Sequence, residues 1–200
     1  MKITEVTLSF GGQIVMEKFS LALPKQGLVA LMGPSGAGKT TLLRVMMGLE
    51  SPQSGRANTE NAKVALLFQE DRLLPWLTAR QNVEAVLGPN EKQQATKALG
   101  SMGLEEQAWD KLPAELSGGM RRRVALARLI CYGGDVWLMD EAFKGLDRES
   151  RDALIPFFKQ QAETRLIVLV THEKEDAVRL GAQIIELEGP PLKIKYTEKN

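Results

Sequence analysis

The sequence predicts an α/β fold built on a largely parallel sheet, with an N-terminal antiparallel β subdomain and a helical insertion. Several short, continuously apolar segments are typical of strands buried on both faces of a sheet, and segments of helical period separate them. Alternating apolar and polar residues at the N-terminus predict the antiparallel part. We expect a single domain over residues 1–200, with the α/β core at about 1–70 and 131–200 and the insertion at about 71–130.

The N-terminal part alternates with period two at residues 2–9 and 13–23, on either side of Gly11 and Gly12. Two consecutive glycines suit a tight turn, so these segments predict an antiparallel hairpin. Residues 28–32 (LVALM) are instead continuously apolar and followed by glycine, which indicates a strand buried on both faces.

Strands and helices alternate in the rest of the core. The sequence predicts strands at 63–68, 135–139 and 166–170. It predicts helices at about 39–48, 117–131, 147–161 and 173–180. From Asp71 to about Ser117 the patterns are helical only, including the polar stretch 89–99, which predicts the helical insertion.

Composition restricts the possible partners. Lys and Arg number 26 against 25 Asp and Glu, so no overall positive charge points to nucleic acid, and we expect none as a partner. The basic run Arg121–Arg123 is typical of a solvated helix face or of internal salt-bridge partners. One cysteine, Cys131, and one histidine cannot supply an internal disulfide or a four-ligand zinc site. The longest apolar runs have five residues, and no signal peptide is visible, so we expect a cytoplasmic protein.

Residues 33–40 (GPSGAGKT) satisfy the phosphate-loop pattern G-x-x-x-x-G-K-[ST], between a predicted strand and a predicted helix. The glycines let backbone N–H groups converge on phosphate oxygens, and the helix start adds a partial positive charge. Lys39 is expected to reach the β- and γ-phosphates and Thr40 to ligate Mg²⁺. A plain glycine-rich turn is the alternative to this P-loop NTPase core. The predicted nucleotide-binding residues here are Gly33, Pro34, Ser35, Gly36, Ala37, Gly38, Lys39, Thr40 and Thr41.

Two carboxylates, Asp140 and Glu141, follow the apolar residues 136–139. At the carboxyl edge of the sheet, Asp140 is expected to hold Mg²⁺ through water and Glu141 to polarise an attacking water. The alternative, an acidic helix start after a strand, is disfavoured by the phosphate loop. Ser117, Gly118 and Gly119 open another predicted helix, which indicates either a second anion site or only a helix cap.

The order of these motifs resembles the nucleotide-binding subunit of ATP-binding cassette (ABC) transporters over nearly the whole chain. That family combines the phosphate loop and the acidic strand with a strand-end glutamine, an L-S-G-G-Q signature, an A-L-D-like loop and a switch histidine. These features correspond here to Gln69, Leu116–Met120, Gly145–Asp147 and His172.

The resemblance implies an ATPase that forms a homodimer in its ATP-bound state, with Mg²⁺. Each ATP would lie between the phosphate loop of one subunit and Ser117, Gly118 and Gly119 of the other. Gln69 would contact Mg²⁺ and the attacking water, and His172 would hydrogen-bond the γ-phosphate.

Two further positions keep two interpretations each. The resemblance implies that Phe10 stacks on adenine, whereas the strand pattern alone predicts that Phe10 is a core aromatic residue. It makes Asp147 a link between the two ATP sites, a role compatible with capping the helix at 148–161. The sequence departs from the family pattern at Met120, which replaces the signature glutamine and is expected to weaken the dimer, and at Ala142, where proline is usual. With 28 residues after His172, we expect no appended regulatory domain.

Residues 69–78 resemble bacterial importers of the nitrate, sulfonate and taurine group, which implies a membrane permease as partner and a place on the inner face of the cell membrane. The apolar residues 73–77 either pack the insertion against the core or, through Leu74 and Trp76, receive a cytoplasmic helix of that permease. A soluble ABC-type ATPase of DNA repair or translation is the alternative, although such proteins usually carry two cassettes or a long coiled coil. A nucleotide kinase would lack Leu116–Gly119 and His172.

Overall fold

A computed structural model describes residues 1–58 and 61–198 of the chain. In chain order its strands and helices are β1 (Lys2–Phe10), β2 (Gln13–Ala22), β3 (Gly27–Met32), α1 (Lys39–Met47), β4 (Ser54–Asn58), β5 (Val64–Leu67), α2 (Ala79–Glu84), α3 (Gln93–Ser101), α4 (Gly118–Tyr132), β6 (Val136–Asp140), α5 (Arg148–Ala162), β7 (Leu166–Val170), α6 (Lys174–Leu180), β8 (Gln183–Glu188) and β9 (Lys193–Glu198).

The chain divides into two compact units, which are described separately. The first, called the core unit, comprises the described residues of Met1–Leu66, Gly134–Glu141 and Phe158–Asn200. The second, called the helical unit, comprises Leu67–Gly133 and Ala142–Phe157.

The core unit contains the two predicted kinds of sheet. β1 pairs antiparallel with both β2 and β4 in a three-stranded sheet. The larger sheet has the order β5-β6-β7-β3-β8-β9, and its pairs β6-β7, β7-β3 and β3-β8 are parallel while β8-β9 is antiparallel. The prediction of a largely parallel sheet with an N-terminal antiparallel subdomain is therefore confirmed.

Burial of apolar side chains explains why the central strands can be predicted from the sequence. Every residue of β6 and β7 is buried, and one hydrophobic cluster joins the two sheets and α1. Leu31, Leu138 and Val168 are fully buried in it. Each such side chain contributes about 1.5–3 kcal/mol on burial, so continuous apolar runs are what a sheet covered on both faces requires.

The helical unit is built around α4, which packs against α2 and α3. A capping box starts α2, because Thr78 Oγ1 accepts from the Gln81 amide (3.2 Å) and Gln81 Oε1 accepts from the Thr78 amide (3.0 Å). Between residues 71 and 117, all of which are described, the structure has helices and turns and no strand, as the sequence predicts. The polar stretch 89–99 becomes helical only from Gln93.

Three strands are absent from the sequence-based prediction: β4, β8 and β9. β4 is polar (SGRAN), and all six residues of β9 are exposed, so neither has a pattern of buried positions. In β8 the half-buried Glu186 separates Ile184 and Ile185 from Leu187, so the strand has no continuous apolar run. Within residues 1–58 and 61–198, no helix has the length and the apolar content that a membrane span needs.

Candidate nucleotide-binding site

Residues 33–38 of the predicted phosphate loop (33–40) connect β3 to α1 in the core unit. Gly33 has φ +137°, and a Cβ there would lie 2.1 Å from the carbonyl oxygen of Leu187 in β8. Gly38 precedes α1 with φ +104°, and a Cβ there would lie 2.9 Å from the side chain of Val15. Both glycines are therefore required by backbone conformation and by close neighbours, which fixes the path of the loop into the helix start.

Lys39 is the first residue of α1 and is 5% exposed. Its Nζ donates hydrogen bonds to the carbonyl oxygens of Gly33 (2.8 Å) and Pro34 (2.7 Å). Burial lowers the pKa of Lys39. The nearby carboxylates of Asp140, Glu141 and Glu186 oppose this by raising the same pKa. The ammonium is thus held inside its own loop by oxygen acceptors, the kind of partner that a phosphate also offers.

Thr40 and Asp140 are brought together although 100 residues separate them. Thr40 Oγ1 donates to Asp140 Oδ2 at 2.8 Å, and Asp140 is 3% exposed at the end of β6. The described residues contain no group of three or more His, Cys, Asp and Glu arranged for a metal ion. Mg²⁺ often takes one or two protein oxygens and completes its shell with substrate phosphates and water, and a hydroxyl beside a buried carboxylate fits that donor set.

Glu141 and His172 form a second contact at the same edge of the sheet. His172 Nε2 lies 3.5 Å from Glu141 Oε1, and the Glu141 amide donates to the Val170 carbonyl at 2.9 Å. Glu141 has φ +49°, a left-handed conformation that costs a non-glycine residue about 1–3 kcal/mol. Such a conformation persists only when its surroundings impose it, and it is concentrated at functional sites.

Phe10 lies at the end of β1 in the core unit and is 46% exposed. The interpretation of Phe10 as a core aromatic residue is therefore wrong. An exposed ring at the hairpin leaves its face open to a planar group, so adenine stacking stays a prediction.

The signature residues and Gln69 belong to the helical unit. Ser117 caps α4 by accepting a hydrogen bond from the Met120 amide at 3.2 Å, and Gly118 and Gly119 are the first two residues of that helix. A Cβ on Gly119 would lie 3.1 Å from the Gly145 carbonyl oxygen, so a larger residue would crowd this loop. The cap and the exposed start of α4 are compatible with both predicted roles, helix capping and anion binding.

Asp147 caps the start of α5 in the helical unit. Its Oδ1 accepts from the Ser150 amide at 2.8 Å. This bond is the main cause that holds the pKa of Asp147 below its ordinary value, so the carboxylate is charged at neutral pH. The capping interpretation is thereby confirmed, and the link across a dimer stays a prediction.

Of the two interpretations of the basic run Arg121–Arg123, a solvated helix face and internal salt-bridge partners, the second is confirmed for Arg122, whose Nη1 lies 3.2 Å from a carboxylate oxygen of Asp71. Arg121 donates to the Leu116 carbonyl at 2.6 Å, and Arg123 donates to the Gly103 carbonyl and to Ser150. Arg122 is 2% exposed. A signal for this was present, because three consecutive helical residues span about 200° around the helix and at least one of them must approach the interior.

Sequence reasoning also missed Asn82, a fully buried residue of α2. Its Oδ1 accepts from the Leu74 amide at 2.7 Å, and its Nδ2 donates to the carbonyls of Leu74 (3.1 Å), Leu77 (2.9 Å) and Thr78 (3.0 Å). Asn82 thereby fixes the segment 74–78. Trp76, within that segment, is 71% exposed.

Comparisons with known proteins agree with this arrangement. The family model described as ABC transporter matches residues 16–144. The aliphatic sulfonates import ATP-binding protein SsuB 1 of Burkholderia lata is 40% identical over 195 residues, covering 93% of this chain and 60% of that protein. The thiamine import ATP-binding protein ThiQ of Vibrio cholerae is 37% identical over 195 residues, covering 88% of this chain and 82% of that protein.

Solved structures give the same result. The dimeric post-hydrolysis structure of the ATP-binding cassette MJ0796 bound to ADP and Pi superposes with a TM-score of 0.87 and 27% identity, over 99% of this chain and 97% of that one. The chain spans about 60% of the length of the aliphatic sulfonate relative.

Proposed function

This chain belongs to the ABC transporter family, and from that premise we propose that it is the ATP-binding and ATP-hydrolysing subunit of a bacterial importer. It dimerises around two ATP molecules and drives a separate membrane permease. The observation that carries the ATP-binding and ATP-hydrolysing role is the hydrogen bond between Thr40 and Asp140, 2.8 Å long. It joins the phosphate loop to the acidic strand end, and together these supply the two halves of a nucleotide and metal site.

Nucleotide binding rests on the phosphate loop. Backbone amides of residues 33–38 and the start of α1 surround the phosphates with donors and partial positive charge. Lys39 moves its ammonium from the carbonyls of Gly33 and Pro34 to the β- and γ-phosphates. Phe10 stacks on the adenine ring, and Thr41 belongs to the same predicted phosphate site.

Thr40 and Asp140 would hold Mg²⁺, with Gln69 as a further predicted contact. When bound, the ion neutralises negative charge on the phosphate oxygens. Glu141 orients the attacking water and accepts its proton, and His172 donates a hydrogen bond to the γ-phosphate. The 3.5 Å contact between His172 and Glu141 supports the assignment of both side chains to one reaction.

The second half of each ATP site comes from a second copy of the chain. Ser117, Gly118 and Gly119 of one subunit cover the ATP bound to the phosphate loop of the other, because one loop cannot surround the γ-phosphate with donors. The dimeric MJ0796 structure, at a TM-score of 0.87, supports this pairing.

We expect the Glu141→Gln protein to be monomeric or weakly associated without nucleotide and dimeric at saturating ATP, because ATP bound between two copies favours the dimer by mass action. Light scattering on the purified variant, with and without ATP, measures this. Met120→Gln in the same background is expected to strengthen the dimer by restoring a polar side chain. A strict monomer at saturating ATP would contradict the composite site, and no effect of Met120→Gln would show that this side chain is irrelevant to the interface.

Import is favoured over a role in DNA repair or translation. The relatives SsuB 1 and ThiQ carry import in their names, for aliphatic sulfonates and for thiamine respectively. The two relatives import different molecules, so we propose import by this transporter without naming the molecule that it imports. Affinity purification tests it: a polytopic membrane protein in the bound fraction supports the importer, and ribosomes or DNA would support the alternative.

We infer that the permease binds the exposed side chains of Leu74 and Trp76, and that this subunit works on the inner face of the membrane through that contact. Trp76 is 71% exposed, whereas Leu73 and Leu77 on either side are half-buried. A large exposed aromatic side chain is the usual kind of anchor for a partner helix.

Trp76→Ala is therefore expected to leave the isolated subunit folded and its basal ATPase rate unchanged, but to weaken assembly with the permease and to uncouple hydrolysis from transport. The measurements are thermal unfolding, phosphate release, and transport by reconstituted vesicles. Leu49→Ala, at an exposed position in the core unit (54%), is the matched control. Normal assembly and transport by Trp76→Ala would rule out the docking assignment, and simple unfolding would favour a packing role.

A further inference from the structure

We propose that Arg122 is a positioning residue for ATP hydrolysis, which holds the main chain of Gln69 in the place that hydrolysis requires. This inference rests on the proposed function, because it assumes that Gln69 acts on the attacking water. Arg122 lies in α4, five residues after Ser117, and its charged side chain is buried.

The guanidinium of Arg122 joins two segments of the helical unit. Its Nε donates to the Ala142 carbonyl at 2.9 Å. On the other side its Nη1 lies within reach of three oxygens, the carbonyls of Phe68 (2.8 Å) and Gln69 (3.4 Å) and a carboxylate oxygen of Asp71 (3.2 Å). One planar group therefore connects the residue that follows Glu141 in the chain to the segment that contains Gln69.

Burial of the Arg122 guanidinium costs free energy unless its N–H groups find acceptors and its charge finds a counter-charge. The Arg122 side chain is 3% exposed and its counter-charge Asp71 is 23% exposed. A buried ion pair is often no more stable than well-packed apolar side chains of similar volume, so stability alone does not account for a charged group here. The guanidinium instead fixes geometry, because its five N–H donors form a rigid, planar group that holds the acceptors on both sides at set angles.

A second arginine of the same helix supports the assignment. Arg128 donates to the carbonyls of Asp71 (2.7 Å) and Arg72 (2.9 Å). The segment 68–72 is thus attached to α4 at two points along its main chain. Arg122 contacts the carbonyl of Gln69 itself, whereas Arg128 contacts the carbonyls of the two residues Asp71 and Arg72.

Lysine cannot replace this geometry. Arg122→Lys keeps the charge beside Asp71, but a single ammonium has no rigid fork with which to hold both segments. Because misplacement of a catalytic group by about 1 Å can cost about a hundredfold in rate, loss of the connection is expected to lower kcat by about ten- to a hundredfold. The KM for ATP is expected to change less than about twofold, since no phosphate contact is removed.

A double-mutant cycle on the full chain tests the inference. Wild type, Arg122→Lys, Gln69→Ala and the double variant are compared for kcat, KM for ATP and thermal midpoint. If Arg122 acts through Gln69, Arg122→Lys lowers kcat in the wild-type background and changes it by less than about twofold in the Gln69→Ala background. Arg80→Lys, the same exchange at a half-exposed ion pair with Asp110, is the matched control.

Each other outcome overturns the inference. An equal loss of kcat in both backgrounds, a rise in KM alone, or an unchanged kcat would exclude a positioning role toward Gln69. Arg122→Gln goes through the same cycle, because its neutral amide needs no counter-charge and keeps the test valid if the lysine variant does not fold. A wild-type protein without ATPase activity would overturn the proposed function, and this inference with it; an active wild type with an additive cycle would overturn this inference alone.

Discussion

Glu141→Gln is expected to bind ATP as the native protein does and to hydrolyse it at least about a hundredfold more slowly, because removal of a general base typically costs about 10²–10⁴-fold. The amide keeps the size of the carboxylate and can still accept one hydrogen bond from water. It cannot take the proton that the attacking water must lose. The contacts of Lys39 with the loop carbonyls do not involve this side chain, so binding is preserved.

Phosphate release and equilibrium ATP binding, measured on the same preparation, separate these two effects. Glu149→Gln is a suitable control, since Glu149 lies in the first turn of α5 and is exposed. Near-normal turnover by Glu141→Gln would remove Glu141 from its assigned role.

Lys39→Ala is expected to abolish measurable nucleotide binding at ATP concentrations that saturate the native protein. The substitution removes a buried ammonium, and each charge-assisted hydrogen bond lost to a phosphate costs about 1.5–3 kcal/mol. Loss of two such bonds weakens binding by at least about a hundredfold. Without that ammonium, the acidic side chains near the loop also repel the incoming phosphates.

Titration calorimetry with ATP measures the loss, and Lys97→Ala, at an exposed position of α3, controls for the removal of one positive charge. The two site variants therefore differ in kind: one binds without hydrolysis, and the other does not bind. Saturable ATP binding by Lys39→Ala at native affinity would contradict the assignment of the phosphate loop.

Local pattern was sufficient for the elements that bury both faces or carry a fixed motif. β6 and β7 are buried at every position, so their apolar runs identified them. The phosphate-loop spacing identified Lys39 and Thr40, and Asp140 followed because the carboxyl ends of parallel strands meet at one edge of a sheet. The hydrogen bond between Thr40 and Asp140 is therefore a contact that the sequence allowed us to anticipate.

Elements whose partners are distant in sequence were not predictable in this way. β4 has a polar sequence, and its Gly55 is required because a Cβ would lie 2.3 Å from the carbonyl oxygen of Glu5, a contact that only the pairing with β1 creates. The position of β3 between β7 and β8 is likewise a long-range property. The sequence left open whether Arg122 is solvated or an internal partner, because the charge of a side chain indicates exposure on average, and besides Asp71 its partners here are main-chain carbonyls that no residue type reveals.

The hydrogen bonds of Asn82 have a consequence for how this protein can diversify. All four go to main-chain atoms of Leu74, Leu77 and Thr78, groups that nearly every amino acid provides. The shape of the segment 74–78 therefore does not depend on the identity of Trp76, whose side chain is 71% exposed. Mutation can exchange the residues that meet a partner while one buried amide preserves the fold beneath them, so the same scaffold can acquire a new partner without first losing its stability.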